Sequence, residues 1–415
     1  MQLTKRDFLK TLTIAGTTLV GTSFNRAKGA ENALPRFAVM SDTHFGSKTG
    51  YGAVAKVSRA LRNVVQKGNL DAIFVVGDLT DHGLAAQYDQ LLQVFKDTNI
   101  IPESQRVVFM MGNHEFYNEE NPVENYTQKL GQPLHQYFDI KGYPFITLSL
   151  NSGNSSDYSK ESQQFLAEKI EDAAGKYPDK PIFIFSHTPP QNTSYGSKSW
   201  GAAAFLETLN KYPQAVFFSG HTHTPIGDPR MVWQGNFTSI NDGSVNYCCC
   251  EKDEVEDGVN FRNGSNTTEA LIVNVQAGSK LDIERWDTFH NESMPNWVVD
   301  WKNKNFKTPS DKTAPVFESG VQPKVRVTGN GCSVSFPQAK DNEIVFRYFV
   351  EIRDGEKTVA TIKKSSQFFL NSAMPRELTA DFFGLPTGKK LTASVRALDS
   401  FDNESAAIVS TAFEI

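Results

Sequence analysis

Five short hydrophobic runs mark the first half of the chain, and each ends abruptly in polar residues. The runs are Phe37 to Met40, Ala72 to Val76, Val107 to Met111, Ile182 to Phe185 and Ala215 to Phe218. Apolar runs of this length, bounded by turn residues, predict buried strands. Between them, apolar residues at helical spacing predict four helices, over Ala53 to Lys67, Ala85 to Lys96, Ser159 to Tyr177 and Ala202 to Tyr212. The alternation of strands and helices predicts an α/β fold.

Beyond residue 223 the helical pattern stops and short strand-like segments follow. The strands predicted first are Phe237 to Asn241, Ala270 to Val275 and Leu281 to Trp286. A stretch rich in lysine, asparagine and proline at 303 to 315 then breaks the periodicity. The last hundred residues hold alternating strand-like segments typical of an antiparallel sandwich, namely Val325 to Val327, Ser333 to Phe336, Tyr348 to Ile352 and Leu391 to Ala397. We therefore predict a first domain over 31–305, a linker over 306–315 and an all-β domain over 316–415.

Polar motifs follow the five hydrophobic runs and hold five of the eight histidines. They are Asp42-Thr43-His44, Gly77-Asp78, Gly112-Asn113-His114-Glu115, Ser186-His187 and Gly220-His221-Thr222-His223. Because α/β folds place their chemistry at the carboxyl ends of strands, these side chains are expected to meet. The motifs contain carboxylate, imidazole and amide groups but no thiolate, a combination that suits divalent cations. These groups are numerous enough to bind two such ions. The i, i+2 spacing of Asp42 and His44 would turn both to one face of an extended strand end. Asp78 has two carboxylate oxygens and is the natural bridge.

Complete and in order, the five motifs resemble the pattern of the calcineurin-like metallophosphoesterases over residues 35 to 290. The resemblance implies two β-sheets packed together and flanked by helices. It also implies two divalent ions (Mn, Fe or Zn), the first held by Asp42, His44 and His223, the second by Asn113, His187 and His221, with Asp78 bridging. His114 corresponds to the histidine of the family that binds no metal, contacts the phosphate and protonates the leaving oxygen.

The resemblance implies a hydrolase of phosphoric ester bonds, in which two metals activate a hydroxide and no covalent enzyme intermediate forms. Asp81 occupies the position where the similar purple acid phosphatases have an iron-binding tyrosine, so a ferric-tyrosinate centre is not expected. The run Gly77 to Gly83 resembles instead the cyclic-nucleotide phosphodiesterase branch. We predict an exported enzyme acting on small-molecule phosphodiesters or nucleotide-like esters. A phosphomonoesterase, and an inactive metal-binding or adhesive protein, are the alternatives.

Several residues near the motifs have two interpretations each. His82 either supports a metal ligand or is an ordinary turn residue. The turn-rich loop 189–201 either lines the substrate site or faces solvent, and it carries Tyr195, Lys198 and Trp200. Phe116 and Tyr117 invite the same two interpretations. The remaining histidines, His135 and His290, lie outside the motifs and are expected to be structural.

Residues 1–30 have the pattern of an export signal. Lys5 and Arg6 precede a mildly apolar segment, Phe8 to Gly21, and small residues follow at Ala27 to Ala30. The start resembles a twin-arginine signal with Lys5 in place of the first arginine, while a general secretory signal or an uncleaved anchor stays open. Beyond this segment no apolar stretch reaches transmembrane length. The predicted location is periplasmic or extracellular.

Composition narrows the class of protein further. The chain has 415 residues, of which 39% are hydrophobic and 21% charged, enough for two globular domains. A net charge of −5 argues against an extended nucleic-acid surface. Cys248, Cys249 and Cys250 are consecutive, and adjacent cysteines form only strained disulfides. Small buried or partly oxidised residues on a strand are expected, and a redox or metal role is the alternative.

The predicted C-terminal domain resembles a fibronectin type III, immunoglobulin-like sandwich. The resemblance rests on Leu385-Pro386-Thr387-Gly388 before a strand and on the hairpin-like run Ala397 to Ser405. This segment shows no catalytic constellation. Its expected function is to pack against or space other parts of the protein, or to bind a surface, a glycan or the catalytic domain.

Overall fold

The computed structural model describes residues 33–48, 52–98, 105–117, 120–256, 258–306 and 311–415. The predicted export signal and residues 307–310 of the predicted linker lie outside these ranges. The chain divides into two compact units. The first draws on residues up to Thr224, on Met231–Tyr247 and on Thr267–Thr308, and the second on Pro225–Arg230, Cys248–Asn266 and Pro309–Ile415. Across the described ranges, no helix combines the length and apolar character needed to cross a membrane.

The first unit alternates strands and helices and then continues in strands. Its strands are β1 (Arg36–Met40), β2 (Ala72–Val76), β3 (Arg106–Met110), β4 (His135–Ile140), β5 (Tyr143–Leu148), β6 (Ile182–Ser186), β7 (Ala215–Ser219), β8 (Val232–Gln234), β9 (Thr238–Asn241), β10 (Glu269–Val275), β11 (Lys280–Asp287) and β12 (Glu292–Asp300). Its helices are α1 (Ala53–Val65), α2 (Ala85–Thr98), α3 (Pro122–Leu130), α4 (Lys160–Lys176), α5 (Ser197–Trp200) and α6 (Leu206–Leu209). A 3-10 turn covers His114–Phe116.

These strands form two mixed, six-stranded sheets. The first has the order β12-β11-β10-β1-β2-β3 and the second β4-β5-β6-β7-β9-β8. Strands β1, β2 and β3 run parallel, as do β5, β6, β7 and β9. The carboxyl ends of β1, β2 and β3 therefore share one edge of the first sheet, and those of β6 and β7 share one edge of the second.

The two sheets pack face to face through phenylalanine side chains. The Phe37 ring on β1 lies 5.1 to 6.0 Å from the rings of Phe145, Phe183, Phe185 and Phe218 on the second sheet. Alternate residues of the strands point the other way, toward the helices, and join separate hydrophobic clusters with α1 to α3 and with α4 and α6. Each buried phenylalanine stabilises the fold by roughly 1.5–3 kcal/mol, so the layers hold the strand ends rigidly.

Local sequence explains where several helices begin and end. Ser159 caps α4, because its hydroxyl oxygen accepts a hydrogen bond from the Ser162 N–H at 3.1 Å. Pro122 occupies the first turn of α3, where its missing N–H costs nothing. Gly131 ends that helix in the left-handed conformation, with φ of 68°.

The second unit consists of short antiparallel strands. They are β13 (Lys324–Thr328), β14 (Gly331–Pro337), β15 (Val345–Asp354), β16 (Lys357–Ser365), β17 (Glu377–Phe382), β18 (Thr392–Asp399) and β19 (Ile408–Val409). They form a three-stranded sheet, β13-β14-β17, and a four-stranded sheet, β16-β15-β18-β19. Alternate residues of both sheets, among them Phe336 and Tyr348, share one core. The fibronectin-like topology and the domain boundaries stay predictions.

The predicted strands of the first unit are confirmed, and so are three of the four predicted helices. The helix predicted over Ala202 to Tyr212 is wrong in extent, since only Leu206–Leu209 is helical. Cys248, Cys249 and Cys250 are buried, as expected, and form no disulfide with another described residue, but they lie outside the named strands. The segments Pro225–Arg230 and Cys248–Asn266, inside the predicted first domain, cluster with the second unit.

Candidate metal centre

The motif residues adopt strained backbone conformations directly after their strands. Five of them have positive φ angles although none is glycine: Asp42 (58°), His44 (44°), Asp78 (47°), His221 (71°) and His223 (52°). Such conformations are uncommon for residues with a side chain and concentrate at functional sites. The expectation of an extended strand end at Asp42 and His44 is therefore wrong. Left-handed turns, rather than strand alternation, direct both side chains into the site.

Glycines in the motifs allow the loops to approach each other closely. A Cβ at Gly112 would overlap Asp78 Oδ1, and a Cβ at Gly220 would overlap Ser41 Oγ. Only a residue without a side chain fits at either point. These glycines therefore serve the close packing of the motif loops.

One cluster of buried side chains joins the loops after β1, β2 and β7. Its members are Asp42, His44, Asp78 and His223, with potential ligand atoms all within 4.8 Å of one another. His223 Nε2 lies 3.1 Å from Asp42 Oδ1 and 3.1 Å from His44 Nε2. We call Asp42, His44 and His223 the first ligand group.

A second cluster shares Asp78 with the first. Asp78, His187 and His221 also bring potential ligand atoms within 4.8 Å of one another. His187 Nε2 lies 3.1 Å from Asp78 Oδ2 and 3.2 Å from His221 Nδ1. The His114 N–H donates to Asp78 Oδ1 at 2.9 Å, which holds the Asn113 loop beside this cluster. We call Asn113, His187 and His221, the residues that the sequence predicts to hold the second ion, the second ligand group.

Backbone carbonyl groups fix the orientation of two histidines. His187 Nδ1 donates to the Val76 carbonyl oxygen at 2.8 Å, and His223 Nδ1 donates to the Tyr247 carbonyl oxygen at 3.0 Å. Each ring therefore directs Nε2 toward the centre, where its neutral form offers a lone pair. This is the usual way in which a protein prepares an imidazole for metal binding.

The buried carboxylates give the centre a strongly negative field. Burial favours the neutral form of Asp78, but the charges of His187 and His114 outweigh it and hold its pKa well below the usual range. Burial also opposes a charge on His187, yet Asp78 raises the pKa of that imidazole to about 9. In contrast, burial and the charge of His187 lower the pKa of His221 to about 3. The field therefore favours positive charge at the centre, whether carried by imidazolium or by a cation.

Two observations show that these residues fit a metal. Asn113 Oδ1 is buried and accepts no hydrogen bond from the described residues, which a buried oxygen rarely tolerates. In addition, ring nitrogens face each other at 3.1 Å between His44 and His223 and at 3.2 Å between His187 and His221. Converging imidazole nitrogens and an unsatisfied amide oxygen are the donor types that a divalent ion binds.

His114 lies at the rim of the clusters, with 26% of its side chain exposed. Its Nδ1 lies 3.3 Å from Asp81 Oδ1, and its Nε2 lies 3.9 Å from Asp78 Oδ2. Asp81 Oδ1 is also 3.3 Å from His44 Nδ1, and His82 Nδ1 is 3.3 Å from Asp81 Oδ2. The sequence marks Asp81 only as the position of a missing tyrosine, and its contacts with these three histidines were not predicted.

Glu115 is a second residue whose part in the site the sequence did not reveal. It is fully buried and accepts hydrogen bonds from the Thr80 N–H at 2.7 Å, the Thr80 hydroxyl at 3.0 Å and the Gly112 N–H at 2.6 Å. Burial, together with the charge of Asp78, raises the pKa of Glu115 to about 7. Glu115 thus ties the loop after β2 to the loop after β3.

The predicted substrate loop packs beside the histidine pair. Lys198 is exposed, whereas Tyr195 and Trp200 are half-buried. A Cβ at Gly196 would lie 3.0 Å from Thr222 Cβ, so this loop contacts the residue between His221 and His223. Contact between the loop and a substrate stays a prediction.

The two histidines expected to be structural have partners of their own. His135 Nε2 lies 3.2 Å from Ser162 Oγ. His290 Nδ1 lies 2.6 Å from Asp287 Oδ2. Both sets of contacts agree with the structural part expected for these residues.

A model of the calcineurin-like phosphoesterase family matches residues 35–225, a range that contains all five motifs. Two curated proteins are similar to the chain. One is the probable glycerophosphodiester phosphodiesterase of Arcobacter nitrofigilis, 28% identical over 200 residues, which are 44% of this chain and 70% of that protein. The other is the probable cyclic nucleotide phosphodiesterase of Ruthia magnifica subsp. Calyptogena magnifica, 25% identical over 198 residues, or 45% of this chain and 77% of that protein.

Among solved structures, a purple acid phosphatase from yellow lupin (Lupinus luteus) seeds aligns with a TM-score of 0.48 at 13% sequence identity. The alignment covers 68% of this chain and 57% of that chain, less than two thirds of its length.

Proposed function

We propose that the chain is a phosphodiesterase with two divalent ions at its centre. It carries a calcineurin-like phosphoesterase domain and is a hydrolase of phosphoric ester bonds. The observation that carries the proposal is the pair of clusters that share Asp78. Both similar curated proteins are named as phosphodiesterases, which favours diesters over monoesters.

In this proposal the first ligand group would hold one ion, the second ligand group would hold the other, and Asp78 would contribute to both. Bound divalent ions supply Lewis acidity, which activates a water molecule and neutralises charge on the phosphoryl oxygens. The protein contributes rigid, preoriented ligands, since Val76 and Tyr247 hold two of the imidazoles through Nδ1.

His114 donates the proton to the leaving oxygen. Burial alone would lower the pKa of His114, but the carboxylates of Asp78 and Asp81 raise it, so the imidazolium form extends to higher pH than in an ordinary histidine. Asp81 fixes the ring through Nδ1, at 3.3 Å, and leaves Nε2 as the donating nitrogen. General acid assistance of this kind contributes typically about 10²- to 10⁴-fold in rate.

The test compares one protein on two substrates. The full-length chain is stripped with chelator, reloaded with Mn²⁺ and assayed on bis(4-nitrophenyl) phosphate and on 4-nitrophenyl phosphate. We expect metal to restore turnover, with the diester preferred. Preference for the monoester would favour the phosphomonoesterase alternative. No turnover of either substrate with two ions bound would overturn the proposal.

His114→Ala tests the part assigned to the acid. Its turnover is expected to fall about 10²- to 10⁴-fold, while metal content, measured by elemental analysis, stays at the wild-type value. His290→Ala is the matched control, because it removes an imidazole outside the motifs and should leave turnover unchanged. Loss of metal from His114→Ala would refute its assignment as a residue that binds no metal.

Export, and a surface- or glycan-binding part for the C-terminal sandwich, stay predictions. The export signal is supported by the residue pattern of 1–30 alone. Transport of a fusion of residues 1–30 to a reporter enzyme, compared between Arg6→Ala and the unchanged segment, would test it.

A further inference from the structure

Tyr117 contacts both side chains that enter the site after β3. Its hydroxyl oxygen accepts a hydrogen bond from Asn113 Nδ2 at 2.8 Å. Its ring centroid lies 4.5 Å from that of His114, with 46° between the ring planes. The Tyr117 N–H also donates to the His114 carbonyl oxygen at 3.1 Å, which ends the 3-10 turn. The backbone thus keeps the Tyr117 side chain beside the two residues that it contacts.

The asparagine amide has two chemically different ends. Its oxygen can bind a cation, whereas its NH₂ group can only donate hydrogen bonds. Asn113 is 4% exposed, so an NH₂ group without an acceptor would be costly there. The Tyr117 hydroxyl provides that acceptor when Oδ1 is left for the metal. This one hydrogen bond therefore determines which end of the Asn113 amide faces Tyr117 and which end is left for the metal.

Tyr117 itself is well placed to be altered without harm to the fold. Its side chain is 37% exposed, and it is not part of the hydrophobic clusters that hold the sheets together. Removal of the hydroxyl leaves the ring and its contact with His114 in place. Tyr117→Phe therefore isolates the hydrogen bond to Asn113.

We propose that Tyr117 is a positioning residue that orients the Asn113 amide and so sets the affinity of the second ligand group for its ion. This role rests on the proposed two-ion centre. It predicts that the hydroxyl matters for one metal site and not for the other. It also predicts that the effect of the hydroxyl requires the Asn113 side chain.

The test is calorimetric titration of the metal-stripped, full-length chain with Mn²⁺. The second ligand group has no carboxylate of its own, so the weaker of the two association constants is assigned to it. Tyr117→Phe is expected to lower this constant by about 10-fold, the lower end of the range for residues that support a metal ligand. The stronger constant should not change. Tyr212→Phe is the matched control, the same chemical change in a half-buried tyrosine packed on the cluster around α4 and α6, and both of its constants should equal those of the wild type.

A double-mutant cycle separates positioning from general destabilisation. In an Asn113→Ala background, where Asp78, His187 and His221 still provide ligands, Tyr117→Phe should have no additional effect on the weaker constant. An equal effect in both backgrounds, or an unchanged weaker constant in Tyr117→Phe, would overturn this role alone. A wild-type chain that binds fewer than two ions would overturn the proposed centre, and this role with it.

Discussion

The two ligand groups differ in charge and in exposure although they share Asp78. The first contains a carboxylate of its own, Asp42, and a second carboxylate, Asp81, lies behind His44. The second contributes only neutral donors, a carboxamide and two imidazoles, and its His221 is half-buried. Since affinity for hard divalent ions rises with the number of charged ligands, the first ligand group should bind its ion more tightly. The second should exchange its ion more readily and respond more to neighbouring residues.

The largest effect is expected from loss of the shared ligand. Asp78→Asn removes a carboxylate from both clusters, so both Mn²⁺ association constants should fall. Turnover should fall by more than the roughly 10- to 100-fold typical of residues that only support a ligand. Calorimetry and steady-state kinetics provide the two readouts. Asp89→Asn, the same change on the exposed face of α2, is the control. A variant that loses only one ion would show that Asp78 belongs to one cluster rather than both.

Moving a carboxylate from the first ligand group to the second should reverse the order of their affinities for Mn²⁺. Asn113→Asp adds a carboxylate to the second ligand group and is expected to raise the weaker constant by about tenfold or more, since one unit charge near a cation exceeds about 1.4 kcal/mol. Asp42→Asn should lower the stronger constant to a similar extent. Both changes keep side-chain volume, so packing is preserved. If calorimetry shows an unchanged weaker constant in Asn113→Asp, ligand charge does not explain the difference in affinity between the two groups.

A smaller effect is expected from Asp81→Asn. The carboxylate helps to raise the pKa of His114, and activity requires the protonated ring, which is lost as pH rises through that pKa. Removing the charge lowers the pKa, so the alkaline limb of the kcat/KM profile should move to lower pH by roughly one unit. Metal content at saturating Mn²⁺ should stay at the wild-type value, because Asp81 contacts His44 only at the nitrogen away from the cluster and is itself no ligand in this proposal. If the alkaline limb of the profile stays at the same pH, Asp81 does not influence proton donation by His114.

Sequence alone located the strands and the residues that meet at their ends. This worked because buried parallel strands are continuous apolar runs, and because the motifs directly follow them. The left-handed conformations at Asp42 and His44 were not predicted, since no local pattern distinguishes them from an extended end. The contacts of Asp81 and Glu115 were missed for a different reason. A carboxylate in a turn is ordinary, and only the folded loops show which groups it reaches.

Elements with weak periodicity were also missed. Strand β4 has no fully buried position, so its sequence lacks the alternation that marks a strand. The grouping of Cys248–Asn266 with the second unit depends on contacts distant in sequence. Hydrophobic periodicity indicates whether a segment is a helix or a strand and which face is buried. It does not indicate which compact unit a long connecting segment packs with.

The central claim is that two unequal ligand groups share Asp78, and anomalous X-ray scattering from Mn²⁺-loaded crystals tests it most directly. At saturating Mn²⁺ the account predicts two peaks, one beside Asp42, His44 and His223 and the other beside Asn113, His187 and His221, each within bonding distance of Asp78. At limiting Mn²⁺ the first peak should be the stronger. A single peak under saturating conditions, or a second peak that does not contact Asp78, would contradict the account.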